Sequence, residues 1–246
     1  MTISTALILA AGRGSRPGEQ ATTIPKGLVE IGGETLVSRS VRQLHSRGVN
    51  DVVIVTGFRD DLYQAFAAGR SGVRCVHNSR FDQLGSLESL RCGLQVVSAP
   101  LLVLDSDVIY ESRGLDALLG EPAENAALVS GPSGSGDEYY VWANARRSLY
   151  HFSKRLEDQP VAPLGEHVGI IKIGTSLMVA LRDGAPGRLE DNPMAYYESL
   201  LVRLLATHGM TAVHVRDLLW SEIDTADMLE TARNRIWPRL KAKGDN

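Results

Sequence analysis

Four short apolar runs, each closed by polar or turn-forming residues, constrain the fold of this chain more than any other feature. They occupy residues 6–10, 52–55, 101–104 and 126–129. Strands that are buried on both faces of a parallel sheet are uniformly apolar, whereas half-exposed strands alternate apolar and polar residues. The four runs therefore predict a parallel core sheet.

Helical patterns separate these runs. Apolar residues between positions 36 and 44 recur at helical spacing, and Gly48 follows them as a C-terminal cap should. Further helices are predicted over 60–68 and 86–97, with a strand over 73–76 between them. Alternating strands and helices joined by right-handed crossovers make a doubly wound α/β fold.

The pattern changes beyond Gly131. A Gly- and Ser-rich connection leads to alternating segments at 139–142 and 149–152, which predict antiparallel strands. Further segments are a strand over 168–173 and helices over 175–181, 194–208 and 225–241, the last interrupted by Pro238. Because the chain has no internal repeat or long linker, we expect one domain over residues 1–246, with a core at 1–131 and an integrated lid at 132–246.

Composition limits the class of protein and of partner. With 246 residues and 43% apolar content, the chain can bury one sizeable core. The net charge of −3 and the scattered Lys and Arg residues argue against a nucleic-acid partner and favour a small molecule. Cys75 and Cys92 lack metal-ligand spacing, and the run at 6–11 is too short to span a membrane. We expect a cytoplasmic protein without a membrane partner, and a homodimer is compatible with the sequence.

A glycine-rich turn follows the first apolar run directly and contains Gly12 and Gly14. Backbone N–H groups in such a turn can surround phosphate oxygens. A dinucleotide fingerprint would need a third glycine that opens a helix, whereas here Pro17 follows Arg16 and polar residues continue to Lys26. The turn predicts an anion site of another kind.

Carboxylates follow the third apolar run. Asp105 and Asp107 come at the carboxyl end of a predicted central strand, where open α/β sheets bind their ligands. Alternation along an extended segment can bring both to one side, and hard oxygen ligands suit Mg²⁺. Asp224 lies far downstream, where it could instead cap the helix expected from Thr225.

The ordered motifs resemble the nucleotidyltransferases that activate sugar phosphates and phosphoalcohols. The matching residues are Leu9-Ala10-Ala11-Gly12, Gly14-Ser15-Arg16, Pro25-Lys26 and the segment 28–33. The resemblance implies that the loop wraps a triphosphate, that Arg16 contacts phosphates and that Lys26 neutralises charge at the α-phosphate. It also implies that Asp107 and Asp224 share one Mg²⁺, with Asp105 in support and Glu222 nearby.

Further motifs are similar to those of cytidylyltransferases that act on phosphocholine and on 2-aminoethylphosphonate. They lie at 77–81, 84–90, 104–111, 134–138, 152–154, 165–173, 196–198 and 222–224. This resemblance implies transfer of CMP from CTP to a small phosphonate or phosphoalcohol, with release of pyrophosphate. It places Gly85 and Ser86 against the pyrimidine and Lys154 at the acceptor's phosphorus oxygens.

The same resemblance implies an acceptor ammonium site formed by Asp137, Glu138, Tyr197 and Glu198. Plainer interpretations stay open for several of these residues. Ser86 could cap a helix, Lys154 could form a surface salt bridge, and Tyr197 could belong to the core.

Three other functions compete with this interpretation. A sugar-1-phosphate nucleotidyltransferase would share the loop and the acids, and a nucleotide-binding regulatory protein would share the fold without turnover. An NAD(P)-dependent oxidoreductase would need a ribose-binding acid after the second strand, but residues 52–55 lead into Thr56-Gly57-Phe58.

Overall fold

The computed structural model describes residues 2–13, 23–98, 100–134, 136 and 138–245. The strands are β1 (Thr5–Ala10), β2 (Glu30–Ile31), β3 (Glu34–Thr35), β4 (Asp51–Thr56), β5 (Val73–His77), β6 (Leu101–Asp105), β7 (Val108–Tyr110), β8 (Ala126–Ser130), β9 (Tyr140–Ala143), β10 (Leu149–Ser153), β11 (Gly165–Ile173), β12 (Thr211–His214) and β13 (Trp220–Glu222). The helices are α1 (Leu36–His45), α2 (Asp60–Ala67), α3 (Ser86–Leu94), α4 (Arg113–Gly120), α5 (Thr175–Asp191), α6 (Tyr197–His208), α7 (Ala226–Thr231) and α8 (Trp237–Ala242).

A parallel core of four strands, in the order β6-β1-β4-β5, forms one half of the main sheet. Leu7 of β1 is paired with Val53 on one side and with Val103 on the other. All three residues are fully buried, as the uniformly apolar runs predicted. The parallel core is therefore confirmed for the first three runs and for the strand predicted at 73–76.

The fourth run, β8, has the same direction as the core strands but is separated from them by β11. Strand β8 pairs antiparallel with β11 and parallel with β12, and β11 itself pairs antiparallel with β6. An apolar run indicates burial on both faces but does not identify the neighbouring strand, so the sequence did not show that β11 would lie between β6 and β8. The second half of the sheet is thus mixed, with β9 and β10 as an antiparallel pair at its edge.

Helices cover both faces of the sheet, as a doubly wound fold requires. One apolar cluster joins the sheet to residues of α3, α5 and α6, and a second joins it to residues of α1, α2 and α4. A third, smaller cluster lies away from the sheet and contains Ile31, Leu36, Ile109, Leu219, Ile223, Ala232 and Leu240. This third cluster connects α8 with the short strands β2 and β7 and with the two residues that flank β13.

Several helix boundaries differ from those predicted. α3 ends at Leu94, before the predicted limit of 97, and α6 begins only at Tyr197. α5 continues through Pro186 to Asp191, although the Gly- and Pro-containing segment after position 181 indicated a stop. The C-terminal helical region is divided by a π-helical turn at Ala232–Ile236, directly before α8 with its Pro238.

One sheet holds strands from both parts of the predicted division at residue 131, because β11 pairs with β6. The division into core and lid stays a prediction. In the described part of the chain, no helix combines the length and the apolar character needed to cross a bilayer.

Candidate active site

A cavity of about 580 Å³ opens at the carboxyl ends of β1 and β6. It collects most of the predicted site residues, although their separations along the chain are large. Those lining it are Leu9, Ala11, Gly12, Lys26, Gly85, Ser86, Asp105, Asp107, Lys154, Tyr197, Glu198 and Asp224. Open α/β sheets bind their ligands at this edge, so the topology itself explains the convergence.

Two short strands bring the distant acids together. β7 and β13 form an antiparallel ribbon in which Val108 is paired with Glu222. The Ile223 amide donates to the Asp107 carbonyl at 2.9 Å, which fixes the register beyond the last strand residue. As a result, Asp107, Glu222 and Asp224 each present a carboxylate oxygen, and these three oxygens lie within 4.8 Å of one another.

Lys26 lies against this acid cluster. Its ammonium forms an ion pair with Asp224 and lies 3.5 Å from Asp107 Oδ2. Burial lowers the pKa of Lys26, but the nearby charges of Asp107 and Asp224 outweigh that effect, so its pKa is raised and the ammonium stays charged. The acids therefore already attract a cation to this point.

Position 27, directly after Lys26, has room for glycine and for no larger residue. A Cβ at this position would lie 2.7 Å from Tyr63 Oη and 2.7 Å from Val37 Cγ2. Both side chains are fully buried, so neither can retreat. The small residue lets the short turn that carries Lys26 pack closely on α1 and α2.

The acid cluster has the chemistry of a magnesium site. All three donors are oxygens, which are the ligands that a hard divalent cation prefers. Burial raises the pKa of Asp107, Lys26 opposes that rise, and repulsion by Asp224 adds to it. Three carboxylate oxygens lie close to one another beside Lys26, so a doubly charged ion fits the site.

Behind the acids lies a buried hydrogen-bonded chain. The Tyr197 hydroxyl lies 3.4 Å from Asp105 Oδ2 and 3.1 Å from His167 Nε2, and His167 Nδ1 lies 3.4 Å from the Leu128 carbonyl. Burial lowers the pKa of His167 to about 4 and, with repulsion from Glu198, raises that of Asp105 well above its usual range. The imidazole is therefore neutral near pH 7 and can donate from Nδ1 to the carbonyl.

The backbone of β11 makes room for Asp105. Gly169 has φ = 76°, in the left-handed region that favours glycine. A Cβ there would approach Asp105 Oδ2 to 2.7 Å. The strand register shifts between His167 and Ile171, so a bulge next to the site lets the carboxylate lie against bare backbone.

The far end of the cavity is aromatic and acidic. The Lys154 ammonium lies 5.1 Å from the ring centroid of Tyr196 and 5.9 Å from that of Tyr139. Glu198 is buried close by, burial raises its pKa to about 7, and its Oε2 has no hydrogen-bond partner in the described part of the chain. Aromatic rings beside a carboxylate can hold an ammonium group, and Lys154 itself demonstrates this here.

Gly85 and Ser86 connect the two ends of the cavity. The Gly85 amide donates to the Pro193 carbonyl at 2.9 Å, and a Cβ on Gly85 would lie 2.4 Å from the Ala195 carbonyl oxygen. Ser86 Oγ accepts from the Tyr197 amide at 3.2 Å. Ser86 therefore does not cap α3, whose N-cap is Gly85, but joins α3 to the segment that carries Tyr197.

Some predicted residues lie elsewhere. Ala10 is buried at the end of β1, and Glu138 accepts from the Gly136 amide at 3.2 Å; neither is among the cavity-lining residues. Four further predicted residues, Gly14, Ser15, Arg16 and Asp137, fall outside the described residues.

Sequence reasoning missed Tyr139, Tyr196 and His167. Each lies directly beside a residue that a motif identified: Tyr139 follows Glu138, Tyr196 precedes Tyr197, and His167 follows Glu166. Aromatic residues next to predicted acceptor acids were therefore an available signal. Nothing in the sequence indicated that His167 would be buried opposite Tyr197.

A family model described as a MobA-like NTP transferase domain matches residues 6–214. Among curated proteins, the CMP-5'-(3-aminopropyl)phosphonate synthase of Streptomyces rubellomurinus is 27% identical over 232 residues, which cover 89% of this chain and 36% of that protein. The choline-phosphate cytidylyltransferase of Streptococcus pneumoniae is 31% identical over 85 residues, which cover 35% of this chain and 37% of that protein. The matched regions thus span little more than a third of the length of either relative.

A solved structure confirms the fold. The inositol-1-phosphate CTP transferase from T. maritima superposes with a TM-score of 0.78 at 19% identity, covering 98% of this chain and 96% of that one. The predicted Rossmann-like mixed α/β fold with a small antiparallel addition is therefore correct.

Proposed function

The chain belongs to the family of MobA-like NTP transferase domains, and on that basis we propose that it transfers CMP from CTP to a small phosphonate or phosphoalcohol. The favoured acceptor is 2-aminoethylphosphonate or a related aminoalkylphosphonate. The name of the Streptomyces relative describes a product in which CMP is joined to an aminoalkylphosphonate. That similarity supports the choice of nucleotide and of acceptor class.

The observation that carries the proposal is that one cavity holds two chemically different groups of residues. Lys26 and the three carboxylates lie at one end, and Tyr139, Tyr196 and Glu198 lie at the other. An aminoalkylphosphonate has matching ends, an anion at one and an ammonium at the other, on a short arm. The triphosphate of CTP supplies further negative charge for the end of the cavity where Lys26 lies and where the three carboxylates would hold a divalent cation.

The reaction needs no protein nucleophile. A phosphonate oxygen of the acceptor attacks the α-phosphorus of CTP in line, one oxygen–phosphorus bond forms, and the bond to the bridging oxygen of pyrophosphate breaks. Mg²⁺ bound by Asp107, Glu222 and Asp224 would supply charge neutralisation for the phosphates. The protein's own contribution is to position the two reactants and to place fixed positive charge beside them.

Lys26 supplies that charge at the nucleotide. Its ammonium is charged and lies against the acids, so it is available to a phosphate oxygen placed beside them. Lys154 lines the same cavity near the acceptor's expected position. We assign Lys154 to the acceptor's phosphorus oxygens, which requires its ammonium to leave the Tyr139 and Tyr196 rings when an acceptor ammonium takes that place.

The ammonium site rests on Glu198. Its carboxylate is buried, and Oε2 lacks a hydrogen-bond partner among the residues described, which is costly unless a ligand supplies one. A primary ammonium would donate to that oxygen, while the adjacent rings would contact the alkyl arm. A quaternary ammonium such as choline lacks the donor, so the unpaired oxygen favours an aminoalkyl acceptor over phosphocholine.

A pyrophosphate-release assay tests this proposal. CTP, UTP, ATP and GTP are each combined with 2-aminoethylphosphonate, 2-hydroxyethylphosphonate or phosphocholine in the presence of Mg²⁺. We expect release to be fastest with CTP and 2-aminoethylphosphonate. Absence of release with CTP and all three acceptors would refute the proposed function.

Variants of the acid cluster make the test specific to the site. Asp107→Asn and Asp224→Asn should each lower kcat by about a hundredfold or more, because charge stabilisation at the phosphates is lost. Asp116→Asn is the matched control, since Asp116 pairs with Arg47 on the surface of α4 and does not line the cavity. Full activity in both cluster variants would mean that the metal binds elsewhere.

A further inference from the structure

Arg13 lines the cavity but matches none of the motif residues to which a function was assigned. It comes three residues after the end of β1 and directly after Gly12. Its guanidinium carbon lies 5.7 Å from the ring centroid of Phe58 and 5.8 Å from that of Phe81. Arg13 is thus held by two aromatic contacts at the entrance of the proposed nucleotide site.

The aromatic support is itself fixed by the backbone. The Phe58 amide donates to the Ala11 carbonyl at 2.9 Å, which ties the turn after β4 to the turn after β1. A Cβ on Gly57 would lie 2.5 Å from Phe81 Cβ and 2.7 Å from the Ala11 oxygen. Glycine at this point therefore lets Phe81 approach both turns, and Arg13 emerges beside the two rings.

Arg13 differs from the other cations of the cavity. Of the positively charged residues that line it, Lys26 is paired with Asp224, and Lys154 is stacked on tyrosines near Glu198. For Arg13, the described contacts are the two rings alone, and these contacts use none of its five N–H donors. The aromatic contacts restrict the guanidinium while leaving its hydrogen-bonding edge available.

From this geometry we infer that Arg13 binds the β- and γ-phosphates of the nucleotide and so makes the site selective for a triphosphate. This inference rests on the proposed function. Lys26 and the three carboxylates occupy the region assigned to the α-phosphate, and none of them contacts Arg13. The planar guanidinium fork matches two phosphate oxygens, which a single ammonium cannot do.

Arg13→Ala tests the inference through nucleotide binding rather than turnover. Affinities for CTP and CMP are measured by calorimetry in Mg²⁺, for the wild-type chain and for the variant. We expect Arg13→Ala to weaken CTP binding about tenfold, the low end of what a charge-assisted bond supplies, and to leave CMP binding within about twofold. Arg13→Lys, which keeps the charge but not the fork, should give an intermediate loss for CTP.

Arg70→Ala is the matched control. The Arg70 guanidinium carbon also stacks on a phenylalanine, 4.0 Å from the Phe66 ring centroid, but the residue does not line the cavity. Its replacement should change neither affinity. Because Arg13 and Arg70 are both exposed, circular dichroism of all variants should match the wild type.

The outcomes separate the two proposals. If the wild-type chain binds CTP but Arg13→Ala binds it equally well, the inference about Arg13 is overturned and the proposed function stands. If CTP and CMP binding weaken equally, Arg13 contacts the nucleoside or the α-phosphate, and the inference is again overturned. If the wild-type chain does not bind CTP at all, both the proposed function and the inference about Arg13 are refuted.

Discussion

His167 shows at the residue scale how the fold sets the charge of a side chain at the site. The imidazole lies in the cavity wall with its two nitrogens facing the Leu128 carbonyl and the Tyr197 hydroxyl. Burial lowers its pKa to about 4, against an ordinary value of 6.5. A neutral ring keeps positive charge away from this wall, so the positive side chains that line the cavity are lysine and arginine.

His167 also predicts a pH dependence of stability. Between pH 6.5 and pH 4 the unfolded chain binds the imidazole proton and the folded chain does not, so stability falls as the pH falls. The full effect is about 3 kcal/mol. In urea unfolding at pH 7 and pH 4.5, His167→Gln should therefore lose less stability on acidification than the wild type.

Two features make this measurement selective. Glu198, with its pKa raised by burial to about 7, contributes with the opposite sign, but it does so equally in the wild type and in the variant. His208→Gln, at a partly exposed position, is the control and should keep the wild-type slope. Equal slopes for His167→Gln and the wild type would contradict the assignment.

Individual residues of the candidate site were predicted from the order of the sequence motifs and not from the spacing of apolar residues. Lys26, Asp107 and Asp224 were predicted from the order of the motifs, and the structure brings these three together. His167 was missed because its position in the cavity depends on how β11 packs against the segment that carries Tyr197. Such packing leaves no local signal in the sequence.

At the scale of elements, the hairpin of β2 and β3 and the C-terminal helix α8 form one unit. The two-residue turn Gly32-Gly33 has positive φ at both residues, 68° and 88°, as a tight hairpin turn requires. A Cβ on Gly32 would come within 2.1 Å of the Trp237 ring, whereas a Cβ on Gly33 would meet open space. Trp237 also receives the Arg39 guanidinium, whose carbon lies 5.6 Å from the ring centroid.

This pair of glycines gives a controlled prediction. Gly32→Ala should cost about 3 kcal/mol in the free energy of unfolding, because it combines an unfavourable φ with overpacking against Trp237. Gly33→Ala has the same conformational penalty without the clash and should cost about 1 kcal/mol. Urea unfolding measures the free energy of unfolding of both variants. Equal losses would show that the Trp237 ring moves aside at no energetic cost.

Most of the elements that the sequence did not predict are short strands, although the helix α4 and the strand β12 were missed as well. β7 and β13 have three residues each, and β2 and β3 have two, which is too few for a period to be recognised. The position of β8 beyond β11 was also not predicted, because its apolar composition reflects burial and does not identify its neighbours. Two-sided buried strands were predicted well, whereas the longest helix, α5, was predicted only over residues 175–181.

At the scale of the whole molecule, the cavity is where the three apolar clusters meet. Leu9 and Leu84 belong to the cluster under α3, α5 and α6, and Val108 and Val168 belong to the cluster on the other face. Ile223, between the acids Glu222 and Asp224, belongs to the third cluster. A ligand in the cavity therefore contacts parts of the chain that all three clusters hold in place.

Ligand binding should consequently raise the thermal stability of the whole chain. CTP with Mg²⁺ at a hundred times its Kd stabilises the folded state by about 2.7 kcal/mol, which raises Tm by about 5–10 °C for a chain of this size. The shift is measured by scanning calorimetry, and it should shrink when Mg²⁺ is withheld or when Asp224→Asn is used. An unchanged Tm at saturating CTP would contradict the proposed site.

The β7–β13 ribbon also sets when the acid cluster can come into existence. Asp107 is made early, but the strand that aligns it with Glu222 and Asp224 leaves the ribosome only after more than a hundred further residues have been translated. Domains fold as translation proceeds, at a pace of about 5–20 residues per second, so the parallel strands can assemble first. The nascent chain can thus form its parallel strands before its acid cluster is complete. It cannot act on nucleotides until β13 has emerged from the ribosome.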